Sequence, residues 1–284
     1  MGRADFEALP AAREIFERAN ALLGYDLAEL CFNGPAEKLD QTEHSQPALF
    51  VTSIAALEVL RSKDSDLVSN VRMTAGLSLG EYTALVFAGV MTFEDGLRVV
   101  RERGLAMQAA ADAAPSGMAS ILGMDDAAVK QLCTDASQGE LLVPANYLCP
   151  GNVVISGTKP ALERAMALAT ERGAMKTISL TVAGAFHTTI MQSAVERLRN
   201  ALAAVPLKSP RIPVISNVDA KTHDNPEEIR QLLVEQVVNP VLWEATMRSM
   251  MASGITTFWE VGNGRILRGL LKRIERKIDC QGTS

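Results

Sequence analysis

The stretch Val71-Arg72-Met73-Thr74-Ala75-Gly76-Leu77-Ser78-Leu79-Gly80-Glu81-Tyr82-Thr83-Ala84-Leu85-Val86 decides the fold class. Val71 to Ala75 is a short, largely apolar run, Gly76 to Gly80 carries a Gly-x-Ser-x-Gly pattern, and Glu81 to Val86 reads as a helix. Strand, sharp turn and helix in that order form a nucleophile elbow, which lifts one hydroxyl above the carboxyl edge of a sheet. The two glycines leave room for a strained turn packed against its neighbours. Ser78 is therefore a candidate for a covalent acyl-enzyme, and its partners become searchable.

Outward from the elbow the chain alternates. Residues 5 to 30 have helical periodicity through Phe6, Leu9, Ile15, Phe16, Ala19, Leu22 and Leu23, and residues 45 to 62 form a second apolar helix with Pro47 near its first turn. After the elbow a helix spans about 93 to 111, capped by Thr92 with Asp95 three residues on. From 117 the texture changes to short apolar runs at 118–123, 141–146, 153–157 and 175–182, with helical segments at 125–137 and 159–172. That order, β-α-β-β-α-β, is the split ferredoxin-like unit, a compact insert entered near Pro115-Ser116-Gly117 and left near Gly184. Helices near 189–203, 226–238 and 242–253, strands at Pro213 to Asn217 and Thr256 to Val261, and a last helix from about 264 complete the pattern. Alternating strands and helices predict a parallel sheet wrapped on both faces.

Composition narrows the function. With 284 residues, 48% of them apolar and 21% charged, the chain is long enough for a substantial core. A net charge of −5 argues against a dedicated nucleic-acid binder. Cys31, Cys133, Cys149 and Cys280 are scattered without CxxC spacing and do not cluster with the three histidines, which speaks against a metal site and for reduced thiols in a cytoplasmic compartment. No apolar run approaches the roughly 18 residues that span a bilayer, and the first residues lack the apolar core of a signal peptide.

A serine nucleophile needs a base, and His44, His187 and His223 are the candidates. His44 and His223 lie in polar turns. His187 ends Ala183-Gly184-Ala185-Phe186-His187, at the exit of the inserted unit, where two domains meet and a cleft is expected. No acidic residue between Ser78 and His187 stands in a recognisable strand-end loop, so something other than a carboxylate is expected to orient the imidazole. Arg103 is the second anomaly. Its neighbours on the helix face are Gly96, Val99, Val100, Ala106, Met107 and Ala110, all apolar, and an unpaired buried charge is very costly. Two readings stand: a structural ion pair, or a guanidinium fork held for a substrate carboxylate.

Taken together these residues resemble the malonyl-CoA:acyl-carrier-protein transacylase family, whose elbow usually reads Gly-His-Ser-Leu-Gly-Glu-Tyr. The similarity runs from about residue 5 to about 276. It includes Gln46-Pro47-Ala48-Leu49, Arg103-Gly104-Leu105-Ala106-Met107-Gln108, Ala145-Asn146, Gly184-Ala185-Phe186-His187, Ile215-Ser216-Asn217, Gln236, Asn239-Pro240-Val241-Leu242-Trp243 and Glu260-Val261-Gly262. The resemblance implies an α/β-hydrolase-like parallel-sheet core, residues 1–116 and 184–284, with a ferredoxin-like subdomain at 117–183. It implies a ping-pong transfer in which Ser78 attacks malonyl-CoA with His187 as base and the carrier's phosphopantetheine thiol then takes the malonyl group. Arg103 would hold the malonyl carboxylate, the Leu79 N–H would serve the oxyanion, and a main-chain carbonyl at Gln236 would orient the imidazole. Phe186 resembles the malonyl-selective version of its segment, where a bulky ring leaves little space for a 2-methyl branch. A cytoplasmic monomer of fatty-acid synthesis is expected, with no metal or other cofactor and with no nucleic-acid or membrane partner.

The sequence departs from the family pattern at two places. Leu77 stands where many members carry histidine, from which a change in packing or selectivity is expected. The family's N-terminal Phe-Pro-Gly-Gln-Gly segment, whose glutamine lines the oxyanion site, has no counterpart, so Met1 is expected to be an internal start of a longer native product. The acidic carrier, meanwhile, would need a local basic patch. Arg265, Arg268, Lys272, Arg273, Arg276 and Lys277 make the last helix basic, either as a docking surface or as a solvated face. A serine hydrolase or thioesterase built on the same elbow, and a truncated carrier-binding relative, are the alternatives.

Overall fold

The structure, a computed structural model, describes residues 1–283. Before the elbow come α1 (Arg3–Ala8), α2 (Pro10–Leu23), α3 (Leu27–Asn33), the single turn α4 (Ala36–Leu39), α5 (Thr42–Lys63) and α6 (Ser65–Ser69). The periodicity over 5–30 is thus divided among three helices. Pro10 opens α2, where its missing N–H leaves no bond unmade, and Gly24 closes it in the left-handed region at φ 78°. Because α5 begins at Thr42, Pro47 lies inside it rather than in its first turn.

Past the elbow, α7 (Gly80–Phe87) leads to α8 (Phe93–Asp112), whose Thr92 cap accepts the Asp95 N–H at 3.1 Å. At Gly104 of α8 a Cβ would lie 2.9 Å from the Thr42 carbonyl oxygen. The glycine lets α8 and α5 approach closely, and this brings Gln46 of α5 up to Arg103. Together with α2, α11 (Gln192–Ala203) and α12 (Pro226–Gln236), these helices share one large apolar core.

Between Ser116 and Ser179 the chain forms a four-stranded antiparallel sheet with two helices. Its elements are β1 (Ser116–Leu122), α9 (Asp126–Ser137), β2 (Leu142–Cys149), β3 (Asn152–Thr158), α10 (Lys159–Glu171) and β4 (Lys176–Ser179), and its strand order is β2-β3-β1-β4. That is the ferredoxin-like order. Side chains alternate across the sheet: Ala119, Ile121, Val153 and Ile155 pack against α9 and α10, while Met118 and Val154 turn to the other face beside Ala145 and Phe186. Phe186 also packs on the large core, so its ring lies at the seam between the two units. The seam is laced by backbone bonds as well, Tyr147 N–H to the Val241 carbonyl at 2.9 Å and Val241 N–H to the Ala145 carbonyl at 2.8 Å.

The fold is α/β, with parallel pairing in short pieces. Thr74 and Val214 form a single parallel bridge at the base of the elbow, where whole strands were expected over 71–75 and 213–217. The C-terminal α13 (Trp243–Ala252), β5 (Thr257–Glu260), α14 (Ile266–Ile274) and β6 (Asp279–Gly282) follow, and β5 pairs parallel with β6, a strand the sequence did not suggest. Among the described residues no helix is long and apolar enough to cross a membrane.

Candidate active site

The elbow holds Ser78 at φ 49°, in the left-handed region that disfavours side chains. Gly76 makes this turn possible, since a Cβ there would lie 2.0 Å from the backbone of Gly80. Gly80 has open space around it and starts α7, so the second glycine of the pattern carries no such steric requirement. Asn217 secures the turn from across the fold: its Oδ1 accepts the Ser78 N–H at 2.6 Å and its Nδ2 donates to the Gly76 carbonyl at 2.8 Å. Leu79 sits directly before α7, where the first N–H groups of a helix have no intrahelical acceptor, so its amide is available to a developing oxyanion. Leu77 packs into the C-terminal apolar cluster with Met73 and Ala75.

His187, 109 residues away, meets the serine. Its Nε2 lies 2.9 Å from Ser78 Oγ, and its Nδ1 lies 2.8 Å from the Gln236 carbonyl oxygen. A carbonyl can only accept, so Nδ1 carries the proton and Nε2 presents its lone pair to the hydroxyl. His187 is itself at φ 61°, a second strained residue at the same place. Burial, reinforced by the positive charge of Arg103, pushes its pKa down to about 4. The imidazole is therefore neutral at physiological pH and competent as a base.

Arg103 is 1% exposed and reaches the same oxygen. Its Nη2 donates to Ser78 Oγ at 2.9 Å and to Gln236 Oε1 at 2.8 Å, and its Nη1 donates to Gln46 Oε1 at 2.7 Å. The guanidinium carbon stands 5.4 Å from the centre of the Tyr82 ring. Burial pulls its pKa down, opposed by Tyr82 and Glu81, but a guanidinium stays charged in proteins. Every oxygen it bonds is neutral. Among the described residues no carboxylate bonds this cation, which favours the ligand-clamp reading over the structural ion pair.

Gln46, Asn217 and Glu81 stand in the elbow and in the family-like stretches, but the sequence reading gives them no role. Glu81 is the residue after Gly80, 3% exposed, with Oε2 accepting from Gln236 Nε2 at 2.7 Å and from the Asn217 N–H at 3.2 Å. The available signal was a lone acid in the otherwise largely apolar α7. Along α14, Arg268 bonds Glu260 and Arg273 donates to the Pro150 and Gly151 carbonyls, so part of that basic face is used within the fold.

A model of the acyl transferase domain family matches residues 1–273. The chain is 43% identical over 279 residues to the malonyl CoA-acyl carrier protein transacylase of Bacillus subtilis, covering 98% of this chain and 87% of that protein. A solved acyl-carrier-protein-S-malonyltransferase from Bartonella henselae superposes with a TM-score of 0.95 at 37% identity, over 100% of this chain and 90% of that one. A malonyl-transacylase solved in complex with a type II PKS acyl-carrier protein superposes at 0.92 and 37% identity, over 98% and 88%. With the elbow, the base and the buried cation in one place and these relatives across its length, the chain belongs to the acyl transferase domain family, among its malonyl-CoA:acyl-carrier-protein transacylases.

Proposed function

We propose that the protein moves a malonyl group from malonyl-CoA to the phosphopantetheine thiol of an acyl carrier protein through a malonyl ester on Ser78. The observation that carries this reading is the buried Arg103 cation, bonded to neutral oxygens and sharing Ser78 Oγ with His187. As Oγ bonds the thioester carbonyl carbon, His187 Nε2 takes its proton, and the oxyanion that forms lies toward the Leu79 N–H. Collapse of the tetrahedral species breaks the C–S bond, and the departing CoA sulfur takes the proton from the imidazolium. The carrier's thiol then repeats the sequence in reverse, with His187 removing its proton and Ser78 leaving with it.

Arg103 holds the free malonyl carboxylate throughout, and the Gln236 carbonyl keeps the imidazole in the right tautomer, the task an acid performs in many serine enzymes. Phe186, beside His187 in the chain, would narrow the space around the malonyl C2. The reading takes a cytoplasmic monomer that needs no cofactor or metal and engages no nucleic acid. Incubation with labelled malonyl-CoA and a holo acyl carrier protein tests it. Label on the carrier, lost in Ser78→Ala, supports the transfer; label released as free malonate whether or not the carrier is present would make the protein a hydrolase.

A further inference from the structure

One buried carboxylate stands behind all three reactive groups. Glu81 Oε2 accepts from the Asn217 N–H at 3.2 Å and from Gln236 Nε2 at 2.7 Å. Asn217 in turn fixes the Ser78 N–H, so this arm leads to the nucleophile. Gln236 leads to the other two, since its Oε1 accepts from Arg103 Nη2 and its backbone carbonyl accepts from His187 Nδ1.

The Gln236 arm depends on which way the amide points. Its NH2 donates both to Glu81 Oε2 and to the Ser78 carbonyl at 3.0 Å, and this leaves Oε1 facing the guanidinium. Glu81 Oε2, with the Ser78 carbonyl, accepts from this NH2 and so fixes the amide in that orientation, whereas a flip would present NH2 to a cation. The cavity behind the carboxylate, lined by Glu81, Ser216 and His223 among others, measures about 10 Å³, close to the space one water needs.

We propose that Glu81 is a positioning residue of the transfer reaction: one carboxylate that, through Asn217 and Gln236, sets the nucleophile, the base and the carboxylate-binding cation together. The Arg103 arm rests on the malonyl-transfer reading; the Ser78 arm holds for any substrate.

The experiment measures two quantities in Glu81→Ala, Glu81→Gln and the parent protein, with far-UV circular dichroism confirming the fold. The first is the rate at which a fluorophosphonate labels Ser78. The second is the preference for malonyl-CoA over acetyl-CoA as acyl donor. Glu81→Ala is expected to slow labelling by about 10²-fold, as a misplacement near 1 Å does, and to erode the malonyl preference in parallel. Glu81→Gln keeps an oxygen that can accept both bonds and is expected to restore both quantities to within about tenfold, the difference between a charged and a neutral acceptor. A residue that merely props up the elbow would slow labelling and leave the donor preference unmoved, and that result overturns the proposal. So does a folded Glu81→Ala that labels at the parent rate. If Glu81→Ala does not fold, Glu81→Asp, which retracts the carboxylate by one methylene, is judged by the same two criteria. A parent protein that is labelled at Ser78 yet accepts no malonyl group refutes the transfer reading, and the labelling ratio alone then upholds or overturns the role of Glu81.

Discussion

Arg103 Nη2 donates a hydrogen bond to Ser78 Oγ at 2.9 Å, so a buried cation and the candidate nucleophile are in direct contact. Once the serine is acylated, Oγ becomes an ester oxygen and a poorer acceptor. The guanidinium then stays with the free carboxylate of the group just attached. An acetyl group has nothing to offer it.

Arg103→Ala is accordingly expected to lower malonyl transfer about 10²-fold more than acetyl transfer, the order of magnitude for truncating one partner of a buried, hydrogen-bonded charge pair. Steady-state rates with the two CoA esters decide this. Equal losses would return Arg103 to a structural role.

The base should show its environment in a pH profile. Burial first, and Arg103 second, hold His187 down at about 4 from an ordinary value of 6.5, and a base acts in its neutral form. In the Glu81→Gln background, which removes a second titrating carboxyl, Ser78 labelling should stay level from neutral pH toward 4 and fall below it. Arg103→Ala removes a neighbouring positive charge, so its acid limb should move to higher pH. An acid limb that does not move would contradict the electrostatic coupling.

The two glycines of the elbow should respond differently. Gly76→Ala forces a Cβ to within 2.0 Å of the Gly80 backbone and is expected to abolish labelling and lower the thermal midpoint. Gly80→Ala meets open space at the start of α7 and is expected to be neutral, or more stable by up to about 1 kcal/mol from helix propensity. Thermal melts of both variants check the contrast.

Stability should also depend on pH in a way that Glu81 dictates. Burial, opposed by bonds from Gln236 and Asn217 and by Arg103, pushes its pKa up to about 7 from 4.5. A carboxyl that holds its proton more tightly when folded contributes stability that is complete below 4.5 and lost as pH rises through about 7. His187, with its lowered pKa, contributes stability present above 6.5 and lost as pH falls through about 4. Glu81→Gln deletes the first effect and leaves the second. Its stability relative to the parent is expected to rise by about 3 kcal/mol from pH 4.5 to neutrality, read from urea unfolding at several pH values. A difference that stays constant with pH would contradict this.

The parts of the site legible in the sequence were those that break a local rule. Ser78 stood in an elbow and Arg103 on an apolar stripe, and the structure buries that stripe with the arginine in it. His187 stood where the inserted unit rejoins the core. The ferredoxin-like order was readable because each of its elements carries its own periodicity. Gln46 and Asn217 break no rule that can be seen locally, since their partners lie 57 to 141 residues away, and Glu81 is marked only as the one acid of a largely apolar helix. The parallel core was overstated: the runs 71–75 and 213–217 carry strand patterns, but they pair only at the Thr74–Val214 bridge. The strand β6 carries polar Asp279 and Gln281, so no apolar run announces it.

The transfer reaction proceeds through a malonyl ester on Ser78. Intact-mass and peptide-mass measurement after mixing the protein with malonyl-CoA, without an acceptor, tests it most directly. One malonyl group is expected, located on Ser78, absent in Ser78→Ala and His187→Ala, and discharged when a holo acyl carrier protein is added. A malonyl adduct on another residue, or carrier malonylation that persists in Ser78→Ala, would contradict it.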